Sequence, residues 1–506
     1  MKLSKFLKSL EKHKIFGSRD IDVSLIVDDS RKAKRGSLFV AIPGLTVNGY
    51  KFIPDVIKKG ASVVVGEKPS EKKWLGKITY IKVKNSRKAL ALLASAWYDH
   101  PSRKLKVIGI TGTKGKTTTS EFLYQILKES DKKVGLISTV SAKISDKKYN
   151  TGLHTTNPEP LILHKLLGKM VEANCEYAIV EVTSHGIDQE RIAGINFDTA
   201  ILTNIAHEHL DYHKTFDDYR MAKARLFEDV RIAILNRDNE SFDFMFNKVS
   251  GKSKIISYSL GDKRSDVCFK EFVPTFKGGT LKGMKLLGDY NVSNILAAIA
   301  CARESKLSWK KIERAIAKIK MPTGRLEKIK NKKGIDIYID FAHTPDSLGN
   351  VLSLLRSKTK RRLICILGCA GERDAKKRSM MGEISGKLAD VSIFTAEDPR
   401  GEDVDEIIKQ LVEGINKTKV TEIKFKCPSA LEHQDKKHCY VCIPERGEAI
   451  SFAIQKLAKR GDMVVVCGKG HEKSMAYNGV EYPWSDHKAI KFALDGKVKK
   501  IERKKR

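Results

Sequence analysis

The sequence predicts an α/β protein of about three domains, each built on a mostly parallel sheet. Two observations predict it: at roughly 150 residues per domain, 506 residues suggest three domains, and apolar runs of strand length alternate with helical stretches. No stretch approaches the roughly 18 apolar residues of a membrane span. The lysine-rich start has no apolar core, so we expect no signal peptide.

The composition narrows the classes of partner. The formal net charge of +34 comes from 95 Lys and Arg against 61 Asp and Glu, which favours polyanions such as nucleic acid or nucleotide phosphates. The lysines are dispersed and not interleaved with aromatic residues, so solvated faces are the simpler interpretation and a nucleic-acid-binding protein is disfavoured. Nine scattered cysteines do not form a secreted disulfide framework and predict a cytoplasmic protein.

Three segments differ in pattern along the chain. Residues 20–100 alternate short apolar runs with turns, and Pro101–Lys104 reads as a linker, which predicts a first domain over 1–103. The second, over 104–323, contains predicted strands at Lys106–Ile110, Tyr177–Val182, Thr199–Thr203 and Ile232–Leu235, and a helix at Thr117–Lys128. The third, over 324–506, contains predicted strands at Asp336–Ile339, Leu363–Leu367, Val391–Thr395 and Met463–Val466.

The clearest motif follows the first strand of the second domain. Gly112-Thr113-Lys114-Gly115-Lys116-Thr117-Thr118 opens a predicted helix, where backbone N–H groups and the helix N-terminus attract phosphate. Lys116 can reach the β- and γ-phosphates and Thr117 can ligate Mg²⁺. The strict G-x-x-x-x-G-K-T pattern fails because Ile110 stands at its first glycine position.

Three further sites in this domain carry ionisable groups. Glu181 ends an apolar strand and could hold Mg²⁺ beside a triphosphate. Residues 203–213 contain His207, His209 and His213 with two acids; a zinc site, hydrogen-bonded structural histidines, and a phosphate and Mg²⁺ role all remain open. Lys223 lies on a predicted helix and, taken alone, reads as part of a solvated face.

In this order, the motifs resemble the Mur ligase family. They are the phosphate loop and the segments 181–186, 204–213, 222–227, 288–294, 324–327, 340–346 and 468–472. The resemblance runs from about Asp28 to His487 and is closest to the MurE branch. It implies an N-terminal UDP-binding α/β domain, a central P-loop ATPase α/β domain and a C-terminal Rossmann-like α/β domain that binds the amino acid.

The resemblance also implies site residues, grouped here by ligand. Catalytic residues would be Lys116, Glu181, His209 and Lys223; ATP would contact residues 112–118 with Asn291, Asn294, Arg325 and Asp340; Mg²⁺ would be held by Thr117, Glu181, His209 and Lys223 as a carbamate. The UDP-sugar peptide would contact Ser30, Thr156, Asn157, Thr183, Gln189 and Arg191, and the amino acid Arg373, Asp398, Arg400, Gly468 and Glu472.

The implied reaction is ATP-dependent amide-bond formation in peptidoglycan biosynthesis, by a monomer. The acceptor would be UDP-N-acetylmuramoyl-L-Ala-D-Glu and the second substrate a diamino acid. The family motif Asp-Asn-Pro-Arg reads Glu397-Asp398-Pro399-Arg400 here. Arg400 could pair with the distal carboxylate of meso-diaminopimelate, whereas an acid at 398 could favour the bare ammonium of lysine; we favour meso-diaminopimelate.

Two alternatives remain. Cys427, Cys439 and Cys442, with His433 and His438, have the residue types of a structural Zn²⁺ site, although an ordinary solvated loop is the simpler interpretation. A folylpolyglutamate synthase would share the last two domains but lack the UDP-binding region, which residues 20–100 match.

Overall fold

The computed structural model describes residues 1–44, 47–74, 76–151, 156–208, 210–249, 251–269, 288–418, 420–423 and 438–502. The chain divides into two compact units, Met1–Lys320 and Met321–Arg506. In the described residues no helix is long and apolar enough to cross a membrane.

The first sheet of the N-terminal unit has five strands within the described residues. In sheet order they are His13–Phe16, Thr79–Val83, Val63–Gly66, Ser37–Val40 and Leu25–Val27, and only the first is antiparallel to its neighbour. Alternate residues point to opposite faces, so Leu38 and Val40 enter one core and Phe39 the other. The helices are Leu3–Leu7, Ile53–Lys58 and Ser86–Trp97.

The second sheet of this unit has nine strands among the described residues. In sheet order they are Val267–Cys268, Lys254–Ser259, Ile232–Asn236, Phe197–Leu202, Lys106–Thr111, Tyr177–Glu181, Val134–Ile137, Ala142–Ile144 and Lys147–Tyr149. Strand Ala142–Ile144 pairs antiparallel with both of its neighbours, and all the other neighbouring strands run parallel. Its helices are Lys116–Glu129, Pro160–Glu172, Ser184–Asp188, Leu210–His213, Phe216–Ala224, Phe242–Lys248, Asp289–Glu304 and Trp309–Ile316.

Strand register decides where the polar motifs of this sheet meet. Strand Lys106–Thr111 lies between Tyr177–Glu181 and Phe197–Leu202, with Ile110 opposite both Glu181 and Ile201. Because parallel strands end at the same edge of a sheet, the segments after these three strands converge there.

The C-terminal unit contains a seven-stranded sheet within the described residues. In sheet order its strands are Glu327–Ile329, Asp336–Asp340, Met463–Cys467, Leu363–Leu367, Val391–Phe394, Cys439–Cys442 and Thr421–Glu422, all parallel except the first. Strands Ser474–Tyr477 and Val480–Pro483 form a separate hairpin. The helices are Pro345–Lys358, Lys376–Leu388, Val404–Ile415, Arg446–Phe452 and Asp486–Leu494, with a π-turn at Ala453–Leu457.

A buried ion pair fixes the strand ends of this unit. Arg446 and Asp486 are both fully buried, and two parallel hydrogen bonds of 2.8 and 2.7 Å join them. The guanidinium also donates to the carbonyls of Ala396 and Cys467, at 3.1 and 2.8 Å. A buried charge is tolerated when its partners satisfy it in this way. The pair therefore holds the ends of strands Val391–Phe394 and Met463–Cys467. The segments that follow these two strands carry the amino-acid motifs.

The predicted α/β class with mostly parallel sheets is confirmed, since most neighbouring strands in all three large sheets run parallel. The predicted strand at Lys106–Ile110 extends to Thr111, and the predicted helix at Thr117–Lys128 gains one residue at each end.

Candidate active site

The phosphate loop has a backbone that only glycine accommodates at two positions. Gly112 and Gly115 have φ values of +153° and +85°, where side chains are disfavoured. A Cβ would lie 1.8 Å from Oγ1 of Thr203 at Gly112 and 2.2 Å from Oδ1 of Asn294 at Gly115. The loop is thus packed against two other segments before helix Lys116–Glu129 begins.

The segment after strand Phe197–Leu202 braces this loop. The Asn204 carbonyl accepts from the Thr113 N–H at 2.8 Å, and its side chain accepts from the Lys114 N–H at 3.0 Å. The Thr203 hydroxyl donates to the Lys114 carbonyl at 2.6 Å. Lys116 Nζ donates to the carbonyls of Gly112 and Thr113, each at 2.9 Å. The sequence analysis predicted no role for Thr203, and it included Asn204 only as part of a motif.

Two residues predicted to hold Mg²⁺ meet at the sheet edge. Thr117 donates to Oε1 of Glu181 at 2.9 Å, and the backbone N–H of Thr139 donates to Oε2 at 2.9 Å. Only 1% of Glu181 is exposed. A buried carboxylate and a hydroxyl beside a phosphate loop are oxygen ligands of the kind Mg²⁺ prefers, so these residues fit that ion.

Lys223 is not on a solvated face, contrary to the interpretation of its helix taken alone. Its side chain is buried beside the phosphate loop, where Nζ donates to the Gly112 carbonyl at 2.9 Å and lies 4.5 Å from the centre of the Tyr219 ring. Burial, together with the charge of Lys116, holds the pKa of Lys223 well below its usual value, while Glu208 acts in the opposite direction. The lowered pKa favours the neutral amine, which is the form that can react with CO₂.

The histidine cluster packs by ring contacts. His207 stacks on Phe216 with centroids 4.3 Å apart, and His213 lies 5.3 Å from Tyr219. His209, the predicted ligand, lies outside the described residues. Within the described part of the chain, no three His, Cys, Asp or Glu side chains are grouped to hold a metal.

Four residues predicted to contact the UDP-sugar peptide form one network after strand Tyr177–Glu181. Asn157 donates to the Glu181 carbonyl at 2.8 Å and accepts from the N–H and hydroxyl of Thr183, at 2.9 and 2.8 Å. Arg191 donates to the Asn157 carbonyl at 2.9 Å and to Gln189 at 3.1 Å. Asn157 is 2% exposed, so its amide acts as an internal brace.

The other two residues of this set make different hydrogen bonds. Thr156 accepts a hydrogen bond from the Thr139 hydroxyl at 3.0 Å. Ser30 is buried at the N-terminal sheet, where its carbonyl accepts from Lys59 Nζ at 3.0 Å.

The predicted nucleotide contacts divide between the two units. In the first, Asn291 and Asn294 are buried on helix Asp289–Glu304, and Asn294 accepts from the Thr119 hydroxyl at 3.3 Å. In the second, Asp340 accepts from the backbone N–H groups of Leu326 and Ala342, each at 2.7 Å. Burial raises the pKa of Asp340 while Arg325 opposes that shift; the Arg325 guanidinium lies 4.5 Å from the Phe341 ring centre.

The C-terminal unit gathers buried charges after strands Val391–Phe394 and Met463–Cys467. Lys469 is fully buried, with Nζ 3.1 Å from Oδ1 of Asp398 and in contact with Glu472. Beside them, burial raises the pKa of Glu397 to about 7. A Cβ at Gly468 would lie 2.8 Å from Oε2 of Glu397. Lys469 and Glu397 were not predicted as site residues; each lies inside a motif that the sequence does show.

Two further predictions concern this unit: the amino-acid contact Arg373 and the structural Zn²⁺ site. Arg373 is exposed in the loop before helix Lys376–Leu388. The zinc site is not supported: Cys439 and Cys442 stand three residues apart on one strand, which places them on opposite faces, and burial raises their thiol pKa values to about 11 and about 12. Cys427 and His433 lie outside the described residues.

Comparison with known proteins accounts for this arrangement. The Mur ligase family catalytic domain matches residues 22–98, the Mur ligase middle domain 110–302, and the Mur ligase glutamate ligase domain 324–470. The UDP-N-acetylmuramoyl-L-alanyl-D-glutamate--2,6-diaminopimelate ligase of Clostridium tetani is 38% identical over 98% of this chain and 99% of its own. The chain belongs to the Mur ligase family. Members of this family are ATP-dependent ligases that form amide bonds, so the predicted enzyme class is confirmed.

Further relatives are similar to this chain over most of its length. The ligase of the same name from Parabacteroides distasonis is 37% identical over 97% of this Mur ligase and 98% of its own chain. A solved structure of a ligase with that name is 26% identical, has a TM-score of 0.62, and covers 94% of this chain and 95% of its own. The Mycobacterium tuberculosis folylpolyglutamate synthase, at 15% identity and a TM-score of 0.56, covers 74% of this chain and 91% of its own and shares the fold.

Proposed function

We propose that this Mur ligase joins meso-diaminopimelate to UDP-N-acetylmuramoyl-L-alanyl-D-glutamate, using ATP and releasing ADP and phosphate. The observation that carries the proposal is the full-length similarity, at 34–38% identity, to curated ligases named for these substrates. The phosphate loop and the buried charges of the C-terminal unit supply groups for the nucleotide and for a charged amino acid. Lysine, left open by the sequence, is the competing second substrate.

In the first step, the D-Glu carboxylate attacks the γ-phosphorus of ATP, forming an acyl phosphate and ADP. The backbone N–H groups of residues 112–118 and the N-terminus of helix Lys116–Glu129 receive the phosphates. Lys116 moves from its carbonyl partners to the phosphate oxygens and offsets their growing charge. Asn291 and Asn294 serve the adenine side in this proposal, with Arg325 and Asp340 as further nucleotide contacts.

Thr117, Glu181, His209 and Lys223 as a carbamate would hold Mg²⁺, which supplies charge stabilisation on the phosphoryl oxygens. An ammonium cannot ligate a cation, whereas a carbamate offers anionic oxygens. The depressed pKa of Lys223 supports this role, because only a neutral amine adds to CO₂. The network of Asn157, Thr183, Gln189 and Arg191 orients the acceptor peptide beside Glu181.

In the second step, the amine of the diamino acid attacks the acyl carbon. The amide bond forms, phosphate leaves, and the nitrogen of the neutral amine releases one proton and keeps one as the amide N–H. Arg400 pairs with the distal carboxylate of the diamino acid, while Asp398, Gly468, Glu472 and Arg373 complete the set that the resemblance implies. Ser30 serves the uridine end. We also propose domain limits of 1–103, 104–323 and 324–506, a monomer, and a cytoplasmic location, which the buried free thiols suit.

Mass spectrometry of the reaction product tests the proposal. The chain is incubated with ATP, Mg²⁺, the UDP-dipeptide and meso-diaminopimelate, and with mixtures that omit one component each. We expect one product with the mass of the UDP-dipeptide plus diaminopimelate minus water, formed with one ADP, and only in the complete mixture. Product formation with lysine alone would overturn the choice of amino acid. Absence of product with either amino acid would overturn the proposed function.

A further inference from the structure

The loop after strand Val391–Phe394 is hydrogen-bonded to the hairpin 474–483, and Ala476 makes two of these bonds. Asp398 Oδ1 accepts from the Ala476 N–H at 2.7 Å. The Arg400 N–H donates to the Ala476 carbonyl at 2.9 Å. Both backbone groups of Ala476 are therefore bonded to the loop, one through a side chain and one through the backbone.

The backbone of Arg400 is held in an uncommon conformation by this hairpin. Its φ is +55°, in the left-handed region that residues other than glycine rarely adopt. Arg400 forms a β-bridge with Tyr477, and its carbonyl accepts from the N–H of Asn478. The direction of the Arg400 side chain thus depends on the contact between loop and hairpin, because a left-handed residue released from such contacts relaxes to a commoner conformation.

The negative charge of Asp398 has a buried counter-ion. Lys469 Nζ lies 3.1 Å from the same Oδ1 that accepts from Ala476, and Lys469 is fully buried. An asparagine, which the family motif has here, could accept from Ala476 equally well, since amide and carboxylate oxygens are both acceptors. The charge that distinguishes the two residues is therefore directed at Lys469.

We propose that Asp398 is a positioning residue that orients Arg400 toward the distal carboxylate of the amino-acid substrate by fastening hairpin 474–483, and that it does not select a substrate ammonium. This inference rests on the proposed function. It means that an acid at position 398 leaves the preference for diaminopimelate over lysine intact. Specificity then depends on an acceptor oxygen at 398 rather than on its charge.

Three variants of the full chain test this inference: Asp398→Asn, which keeps the acceptor; Asp398→Ala, which removes it; and Asp405→Ala, a matched control on the exposed first turn of helix Val404–Ile415. The measurements are KM and kcat for each diamino acid and KM for ATP. We expect Asp398→Asn to keep the ratio of kcat/KM for diaminopimelate over lysine within about 3-fold. We expect Asp398→Ala to raise KM for diaminopimelate about 10- to 100-fold, with KM for ATP unchanged.

Hydrogen exchange at the Ala476 amide gives a readout that does not need turnover. Exchange should be faster in Asp398→Ala and near that of the unmodified chain in Asp398→Asn and Asp405→Ala. A switch of preference to lysine in Asp398→Asn would overturn the inference, as would an unchanged KM for diaminopimelate in a folded Asp398→Ala. Failure of the proposed function would instead appear in the unmodified chain, which would then turn over neither diamino acid.

Discussion

The Thr117 hydroxyl donates to Oε1 of Glu181 at 2.9 Å and joins the first turn of helix Lys116–Glu129 to the end of the neighbouring strand. The bond places a phosphate-loop hydroxyl and a buried carboxylate together at the edge where the parallel strands end. Two oxygens brought together by separate elements form a site whose geometry is fixed before any ligand arrives, which is what electrostatic catalysis requires.

Replacing Glu181 tests the metal role of this pair. Glu181→Gln keeps the volume and an acceptor for Thr117 but removes the charge, so we expect kcat to fall at least about 100-fold and the Mg²⁺ concentration for half-maximal rate to rise. The measurement is initial rate against Mg²⁺ concentration. Glu129→Gln, exposed at the end of the same helix, is the control and should match the unmodified chain. An unaltered Mg²⁺ dependence in Glu181→Gln would contradict the assignment.

The environment of Lys223 predicts a dependence on CO₂. Burial lowers the pKa of Lys223, which favours the reactive neutral amine, whereas acid protonates the amine and displaces CO₂. We expect activity to fall in CO₂-free buffer, to return with bicarbonate, and to be lost as pH falls. Lys223→Met should be folded and inactive with or without bicarbonate. Full activity after removal of CO₂ would count against a carbamate.

Two helical glycines make a matched test of the Asn157 brace. A Cβ at Gly186 would lie 2.2 Å from Asn157 Oδ1, whereas a Cβ at Gly168 would lie 3.6 Å from its nearest neighbour, an ordinary contact. We expect Gly186→Ala to lower the free energy of unfolding by about 1–3 kcal/mol and to reduce activity. Gly168→Ala should raise the free energy of unfolding by about 0.5–1 kcal/mol, because alanine is favoured over glycine inside a helix. Urea unfolding of the full chain measures both, and equal effects would refute the clash.

Burial of Glu397 predicts a pH dependence of stability. Its pKa of about 7 when folded lies above the ordinary value, near 4.3 when unfolded, so the folded chain binds the extra proton. This contribution to stability is fully present below about pH 4.3 and is lost as pH rises through about 7. Glu397→Gln should therefore flatten the unfolding free energy between about pH 5 and about pH 8 relative to the unmodified chain. Glu413→Gln, which is exposed, should keep the original slope.

Local motifs predicted the fold and the elements on which the candidate site residues lie, because a phosphate loop or a carboxylate ending an apolar strand is visible in consecutive residues. Gly112, Thr117 and Glu181 lie where the pattern placed them. Burial of Lys223 was not visible, since its helix has polar neighbours and its cover comes from the phosphate loop 111 residues earlier. The partner of Asp398 was equally hidden, because Ala476 is 78 residues away.

The most direct test is phosphate release from ATP, measured with the UDP-dipeptide present and with meso-diaminopimelate or lysine added in parallel. We predict release that requires the UDP-dipeptide and is much faster with meso-diaminopimelate, because Arg400 has a carboxylate to bind only in that substrate. Faster release with lysine would contradict the role of Arg400. If no phosphate is released with either amino acid, the proposed reaction as a whole is contradicted.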